Sequence, residues 1–403
     1  MISESFPPEV KSAATLFYEL AASLVEKGHK VSVVTRNPSY YLTKDADAAS
    51  VPAEEVRSGI FIYRRKIPRL SRSIPLIRGL EHFIIGFSLF LEALKIREYD
   101  LILVYLPPLP LGIAGIWLSK LRNKPVVVNL HDLYPQAVID MGLLKNKFII
   151  WLSRRIESLV YRRSNYFAVP YEGNREYLIK KGVAEQNIEI VPNWADTEYI
   201  KPDNKDNDFS RKYKLTNRFV VSFAGSIGFA QGLEVMIRAA SLMQNYPEIR
   251  FLIVGDGVKK AELKVLAQSL NLNNIDFIEP QSLKVYPQVL NSSDVGLVAL
   301  RKDFVIPALP GKLLTIMAAG ISVIASVPLN GETPKIINEY GCGICVEPGS
   351  PDALVGAILK LYNNSALREQ MGQAGRNAAV MHYSRQMAVA KYENIFQKAQ
   401  KGL

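Results

Sequence analysis

Residues 306–320 read IPALPGKLLTIMAAG: a proline-studded approach, a Gly311-Lys312 pair, then a short apolar helix of small residues. A lysine at a helix start suits anions, because first-turn N–H groups lack intrahelical partners and the dipole's positive end adds to them. The ATPase phosphate loop is excluded. It needs a glycine five residues ahead of its Gly-Lys pair and a hydroxyl after the lysine, where this chain has Ile306 and Leu313. Two glycine turns also end apolar runs, AGSIG with Gly225, Ser226 and Gly228, and VGDG with Gly255. His131 and Asp132 stand in HDLYP, where another apolar run stops. Their plainer reading is a turn histidine bonded to backbone and an aspartate capping the next turn. Cys342 and Cys345 form CGIC, but a structural zinc site needs two further Cys or His ligands, and His29, His82, His131 and His382 show no ligand spacing. A redox pair should open a helix after a strand, whereas GCGICVEPG reads as a turn entering a strand. Both cysteines are therefore read as packing residues, in keeping with a reducing compartment, and no metal site is expected.

At 403 residues the chain exceeds the size at which one hydrophobic core stops growing, so two domains are expected. With 48% hydrophobic and 22% charged residues it is globular rather than disordered. A formal charge of +11 calls for an anionic partner. RRKIPRLSRSIPLIR, Arg64 to Arg78, holds six cations and no acid and runs into the apolar GLEHFIIGFSLFLEALK. A cationic loop ahead of an apolar helix is what an anionic bilayer surface attracts. Arg64, Arg65, Lys66, Arg69 and Arg72 are thus read as facing membrane or acceptor, with a solvated loop as the alternative. The run lacks a nucleic-acid reading module, which leaves nucleic acid out. LILVYLPPLPLGIAGIWL is uncharged, but Pro107, Pro108 and Pro110 split it, and the N-terminus has no signal peptide. A cytoplasmic protein, peripheral on the inner face of the cell membrane, is expected.

The elements that position these residues alternate as in a doubly wound parallel sheet, an α/β class. PPEVKSAATLFYELAASLVEKG is an amphipathic helix closed by Gly28, HKVSVVTR the strand after it, and DLILVYL and KPVVVNLHDLYP are apolar strands stopping at Pro or Asp. Ligands gather at the carboxyl ends of such strands, which puts HDLYP on the ligand side. The rhythm restarts after IVPNWADTEYIKP with RFVVSFAGSIG, RFLIVGDG, IDFIEP, VGLVAL, ISVIAS and CGICVEPG as strands. Two Rossmann-like domains with a hinge near Asn193 account for the pattern. The expected boundaries are 1–194, 195–378, and a C-terminal helical segment 379–403 packing back toward the first domain. MISESFPPE offers only a stub in place of the usual hydrophobic opening strand, so that strand is expected to be truncated and weak.

FPPE, EKGHKVSVVT, HDLYP, VPNWADTE, FAGSIGFAQGLE, FLIVGDG, LPGKLLTIMAAG and CGICVEPGSPDAL, in that order, resemble the retaining GT-B glycosyltransferases of family four. The likeness is to those that extend lipid-linked sugars in bacterial polysaccharide assembly, of colanic acid or O-antigen type. It spans nearly the whole chain, and the order of the segments makes it specific. The resemblance implies two Rossmann-like domains facing a central cleft, nucleotide sugar on the second and acceptor on the first. It implies donor-binding roles for Gly225, Ser226, Gly228, Gly255, Gly311, Lys312 and Leu313. It also places His131 near the transferred sugar, with Asp132 as the alternative functional member. Three departures stand out. Where many members have Gly-Arg and Lys-Gly, this chain has Gly225-Ser226 and Gln231-Gly232, leaving Lys312 as the replacement cation. The family's paired glutamates fall on Pro307 and Thr315, so Glu332 in NGETPKII is assigned the ribose hydroxyls instead.

The implied reaction moves a sugar from a nucleotide diphosphate to an acceptor hydroxyl with retention. No cofactor is expected beyond the nucleotide sugar as co-substrate, UDP favoured over GDP. The expected partners are that nucleotide sugar, a lipid-linked glycan acceptor and an anionic membrane surface. With no metal-binding carboxylate cluster in the sequence, helix N-termini and Lys312 must meet the charge on the departing phosphate. Two rivals remain at this level: a GT-B sugar-nucleotide epimerase, and a catalytically silent sugar-nucleotide-binding partner of a membrane assembly complex.

Overall fold

The computed structural model describes residues 1–9, 11–38, 51–68, 75–140, 142, 144–303 and 309–402. The chain divides into two compact units, residues 1–192 with 388–403, and residues 193–387.

The first unit opens with α1 (Ser12–Glu26), β1 (Ser32–Arg36), β2 (Glu54–Arg57), β3 (Ile60–Arg65) and α2 (Pro75–Ala93). It continues through β4 (Ile102–Leu106), α3 (Pro110–Arg122), β5 (Val126–Leu130), α4 (Gln136–Asp140), α5 (Lys147–Arg163), β6 (Tyr166–Val169), α6 (Glu172–Lys180) and β7 (Ile188–Ile190). ILVYL and VVVNL are buried along their whole length, as parallel strands covered by helices on both faces must be. They pair in parallel, Leu103 opposite Val127, and β6 and β7 follow outward in the order β4-β5-β6-β7. β1 pairs in parallel with β3, and β3 carries β2 antiparallel on its other side. The opening stub joins the two groups of strands. Ile2 bridges Val34 and Val104, both parallel, with its N–H donating to Leu103 O at 2.8 Å and its carbonyl accepting from Tyr105 N–H at 2.9 Å. One buried isoleucine thus fills the centre of the sheet, where the sequence offers only a short strand.

The second unit contains α7 (Asp208–Lys212), β8 (Phe219–Ala224), α8 (Glu234–Leu242), β9 (Ile249–Val254), α9 (Lys260–Ser269), β10 (Ile275–Ile278) and α10 (Tyr286–Asn291). β11 (Val295–Ala299), α11 (Gly311–Ala318), β12 (Ser322–Ser326), α12 (Glu332–Tyr340), β13 (Gly343–Val346), α13 (Pro351–Tyr362) and α14 (Ser365–His382) complete it. Among the described residues its sheet is parallel, in the order β10-β9-β8-β11-β12-β13. The order reverses between β8 and β11, the switch point where a crevice opens at the carboxyl edge of such a sheet. Cys342 is buried and Cys345 lines β13, both free; burial pushes their thiols up to about 12 and about 11, which keeps them protonated.

The last helix, α15 (Arg385–Lys401), contributes residues 388–403 to the first unit. Tyr392 is fully buried there, Lys391 donates to Ile190 O at 2.8 Å, and Glu393 pairs with Lys27 and His29.

Candidate functional site

In the second unit three glycines allow two loops to touch. The turn after β8, Gly225 to Gly228, lies against the turn after β9, Gly255 to Gly257. Ile227 N–H donates to Asp256 O at 2.9 Å and Lys259 N–H to Ile227 O at 3.1 Å. A Cβ on Gly255 would fall 2.0 Å from Gly225 O, and one on Gly257 2.2 Å from Ile227 O, so no side chain fits at either place. Gly225 has φ +141°, and a Cβ there would lie 2.5 Å from Lys312 Cε. The lysine on α11 therefore reaches back over the switch point to the end of β8. Ser226 is exposed at the tip of this loop.

Lys312 is half-buried, with its ammonium 4.7 Å from the centroid of the Phe223 ring. Burial lowers its pKa to about 8. Among the described residues no carboxylate pairs with it. Its neighbours differ: Lys259, over the Phe229 ring, pairs with Glu262 at 2.5 Å, and Arg301, whose N–H donates to Ala230 O, pairs with Asp303 at 2.9 Å. Two cations bordering the glycine turn are neutralised within the protein, and the one inside is not. An ammonium desolvated without a counterion is an anion receptor in waiting. α11 starts at Gly311 with Pro310 as N-cap and no capping side chain, which leaves its positive end open to the same anion.

The structure corrects one donor assignment. The N–H of Leu313 already donates to Pro310 O at 2.9 Å and its side chain is fully buried, so Leu313 holds the helix rather than a ligand. Gln231, where the resemblance places a lysine, accepts from Gly228 N–H at 3.0 Å and closes the turn. Thr315, at one of the two glutamate positions, donates to Lys312 O at 3.0 Å and lies 3.1 Å from the Tyr286 hydroxyl; Pro307, at the other, lies outside the described residues. Glu332 opens α12 and accepts from Lys335 Nζ at 2.8 Å, so its carboxylate is partly engaged. Phe223 and Tyr286 were not legible as site residues, because nothing in a buried strand or a short amphipathic helix marks them.

In the first unit His131 follows β5. Its N–H donates to Leu106 O at 3.1 Å, its carbonyl accepts from Asn174 Nδ2 at 3.1 Å, and its ring stacks on Tyr105 at 4.8 Å. The residue keeps some solvent access, yet the protein crowded round the ring lowers its pKa to about 4. It is a neutral imidazole at neutral pH. Asp132 reaches solvent beside it, and desolvation raises its carboxyl above the ordinary value. Backbone bonds fix the peptide while the ring atoms stay available, which suits hydrogen bonding to a neutral hydroxyl.

The cationic cluster is dispersed. Arg64 is buried, bonded to Pro7 O at 2.8 Å and paired with Glu55 at 2.7 Å, so it braces β3 and cannot face a bilayer. Its burial follows from strand alternation: Ile60, Ile62 and Arg64 share the inward face of β3. Arg65 pairs with the buried Glu92 at 3.2 Å, Lys66 is exposed, and Arg69 and Arg72 lie outside the described residues. Among the described residues no group of three or more His, Cys, Asp or Glu side chains is arranged to hold a metal ion.

Residues 204–378 match the family model described as "Glycosyl transferases group 1", and residues 13–194 match the "Glycosyl transferase 4-like domain". The chain is 26% identical over 379 residues to the putative colanic acid biosynthesis glycosyl transferase WcaI of Escherichia coli, covering 91% of this chain and 93% of that protein. Among solved structures it is similar to sucrose-phosphate synthase from Thermosynechococcus elongatus, with TM-score 0.75, 16% identity, and coverage of 100% of this chain and 98% of the other. It is also similar to HepE of Anabaena in complex with UDP-glucose, with TM-score 0.68, 17% identity, and the same coverage of 100% and 98%.

Proposed function

This chain belongs to the group 1 glycosyltransferases and has their GT-B fold, and on that premise we propose that it transfers a sugar from a UDP-sugar to a hydroxyl of a lipid-linked glycan in bacterial polysaccharide assembly, with retention. The observation that carries the donor assignment is Lys312, a desolvated ammonium without a carboxylate at the switch point of the second unit. Beside it the start of α11 is uncapped, and nothing lies within 4 Å of a Cβ built on Gly311, which leaves a diphosphate room to approach the backbone there. The relative named for colanic acid biosynthesis supports the polysaccharide setting, and the neighbour crystallised with UDP-glucose supports UDP over GDP.

In this reading charge grows on the leaving diphosphate as the glycosidic bond breaks, and Lys312 with the α11 N-terminus meets it. The acceptor lies with the first unit, where neutral His131 hydrogen-bonds the sugar and Asp132 flanks it. The departing phosphate takes the acceptor proton on the same face of the sugar, so no protein nucleophile is required and configuration is kept. Tyr286 and Thr315, with Glu332, stand in for the missing glutamate pair at the ribose. Attachment is peripheral, on the inner face of the membrane, and no metal ion is required.

The test is incubation with UDP- and GDP-sugars and lipid-linked acceptors, with and without a chelator, scoring nucleotide release and the anomeric configuration of the product by NMR. Nucleotide binding without release on any acceptor would favour a silent sugar-nucleotide-binding partner. An inverted product would remove the same-face path.

A further inference from the structure

We infer that the outer face of α2, α3 and α5 docks on an anionic lipid bilayer. The three helices lie side by side on one side of the first unit's sheet. A Cβ on Gly86 of α2 would fall 2.7 Å from Pro110 O at the start of α3, and one on Gly112 of α3 2.8 Å from Val160 Cγ1 of α5. Glycine at both places lets α3 pack closely against α2 on one side and α5 on the other.

The outer face is apolar. α2 exposes Leu80, Phe83, Phe87 and Leu91, which recur at helical spacing along one stripe; α3 adds Trp117 and Leu121; α5 adds Phe148, Trp151 and Leu152. Phe148 is 68% exposed, Leu121 58%, Phe87 54% and Trp151 53%. Ring contacts knit the stripe across helices, with Phe90 against Trp117 at 5.3 Å and against Phe87 at 6.5 Å. Scattered exposed apolar groups are ordinary, but exposed aromatic side chains recurring on three neighbouring helices, joined by ring contacts between α2 and α3, mark an interaction surface.

The charges select the occupant. The three helices carry three carboxylates, Glu81, Glu92 and Glu157, and each is at most 2% exposed. Each is turned inward and paired: Glu81 with Arg36, Glu92 with Arg65 and Lys95, Glu157 with Arg154 and Lys181. Lys120, Arg122, Lys147, Arg155, Arg162 and Arg163 stay exposed, Arg155 over the Trp151 ring at 5.4 Å. The outer face is therefore apolar and cationic with no carboxylate, complementary to an anionic headgroup layer over hydrocarbon. Among the described residues no helix is long and apolar enough to cross a membrane, so contact is at the surface. The inference deepens the peripheral attachment proposed above and moves it from the Arg64 segment to this face.

Sedimentation with vesicles of phosphatidylcholine, with and without phosphatidylglycerol, tests it in the absence of donor and acceptor. Wild-type protein should pellet with the anionic vesicles and much less with the neutral ones. Phe87→Glu and Trp151→Glu should each lower that binding on the order of ten-fold, the effect of one large apolar group. Lys147→Glu combined with Arg155→Glu should erase the preference for phosphatidylglycerol. Val265→Glu, on α9 in the second unit and 64% exposed in the wild type, should change nothing. Circular dichroism checks that each variant is folded, and the charge-reversed pair keeps the test decisive if an aromatic variant is not. Wild-type protein indifferent to anionic vesicles, or face variants that pellet like wild type, overturns the inference. So does a stable dimer in vesicle-free solution that the same substitutions disperse. Proteins that bind vesicles as stated yet release no nucleotide from a UDP-sugar with any acceptor leave the docking face standing and count against the transfer reading.

Discussion

Replacing Lys312 with methionine should stabilise the empty protein and weaken its hold on the donor, two opposite effects of one change. Burial lowers the lysine pKa from 10.5 to about 8, with no carboxylate to offset the loss of water. A drop of that size is worth about 3 kcal/mol at neutral pH, and about 1 to 3 kcal/mol once the remaining solvent access is discounted. Methionine keeps the stem and removes the charge, so thermal melts near neutral pH should show a gain in that range. The sign is fixed by linkage: the unfolded chain binds this proton more tightly, so the penalty is full below about pH 8 and is lifted as pH rises toward 10.5. The difference between variant and wild type should vanish over that window. A bound diphosphate supplies the missing anion, and losing a charge-assisted hydrogen bond of about 1.5 to 3 kcal/mol costs roughly ten- to hundred-fold in affinity. Wild-type affinity for UDP-glucose should itself fall above about pH 8, because the lysine is then neutral and binding must take up a proton; the variant should lack this dependence. Calorimetric titrations on both sides of that pH, beside the melts, read both effects. A variant that binds UDP-glucose as tightly as wild type, or that melts lower at neutral pH, refutes the reasoning.

Gly225→Ala places a methyl 2.5 Å from Lys312 Cε at φ +141°, so donor affinity should drop about as far as in the methionine variant; an unchanged dissociation constant would show that the lysine does not need that approach. His131→Ala should cut kcat with little change in donor affinity. Because its pKa is lowered to about 4, the wild-type kcat profile should show no histidine limb near the ordinary value of 6.5, and a limb there that disappears in the variant would restore a charged role. Arg64→Ala should cost about 1 to 3 kcal/mol in denaturant melts through the loss of its bonds to Glu55 and Pro7 O, whereas Lys66→Ala, on the surface, should stay within about 0.5 kcal/mol. Equal and small effects of the two would return Arg64 to the surface.

Much of the architecture was written in local pattern. VVVNL and ILVYL read as strands because β-branched and apolar runs of that length, ended by Pro or by His-Asp, suit a strand buried on both faces. Gly255 and Gly257 read as turn residues at strand ends, and Lys312 as the cation of a helix start, since glycine punctuation and helix ends are properties of neighbours in sequence. Pairing over long separations was not legible. Whether Ile2 could serve as a central strand depended on Val34 and Val104 meeting it from either side. The acid-free segment hid the partner of Arg64, because Glu55 comes from the hairpin strand before it and alternation along β3 turns that side chain inward. The bare ammonium of Lys312 needed the same kind of information: the sequence supplies the cation, but only the packing of α11 across the end of β8 decides that Phe223 and Gly225, and no carboxylate, surround it. Sequence fixes what each residue can offer locally, while burial and the distance to a partner are sums over the folded chain, and on those two quantities the charge state of every group in this site depends.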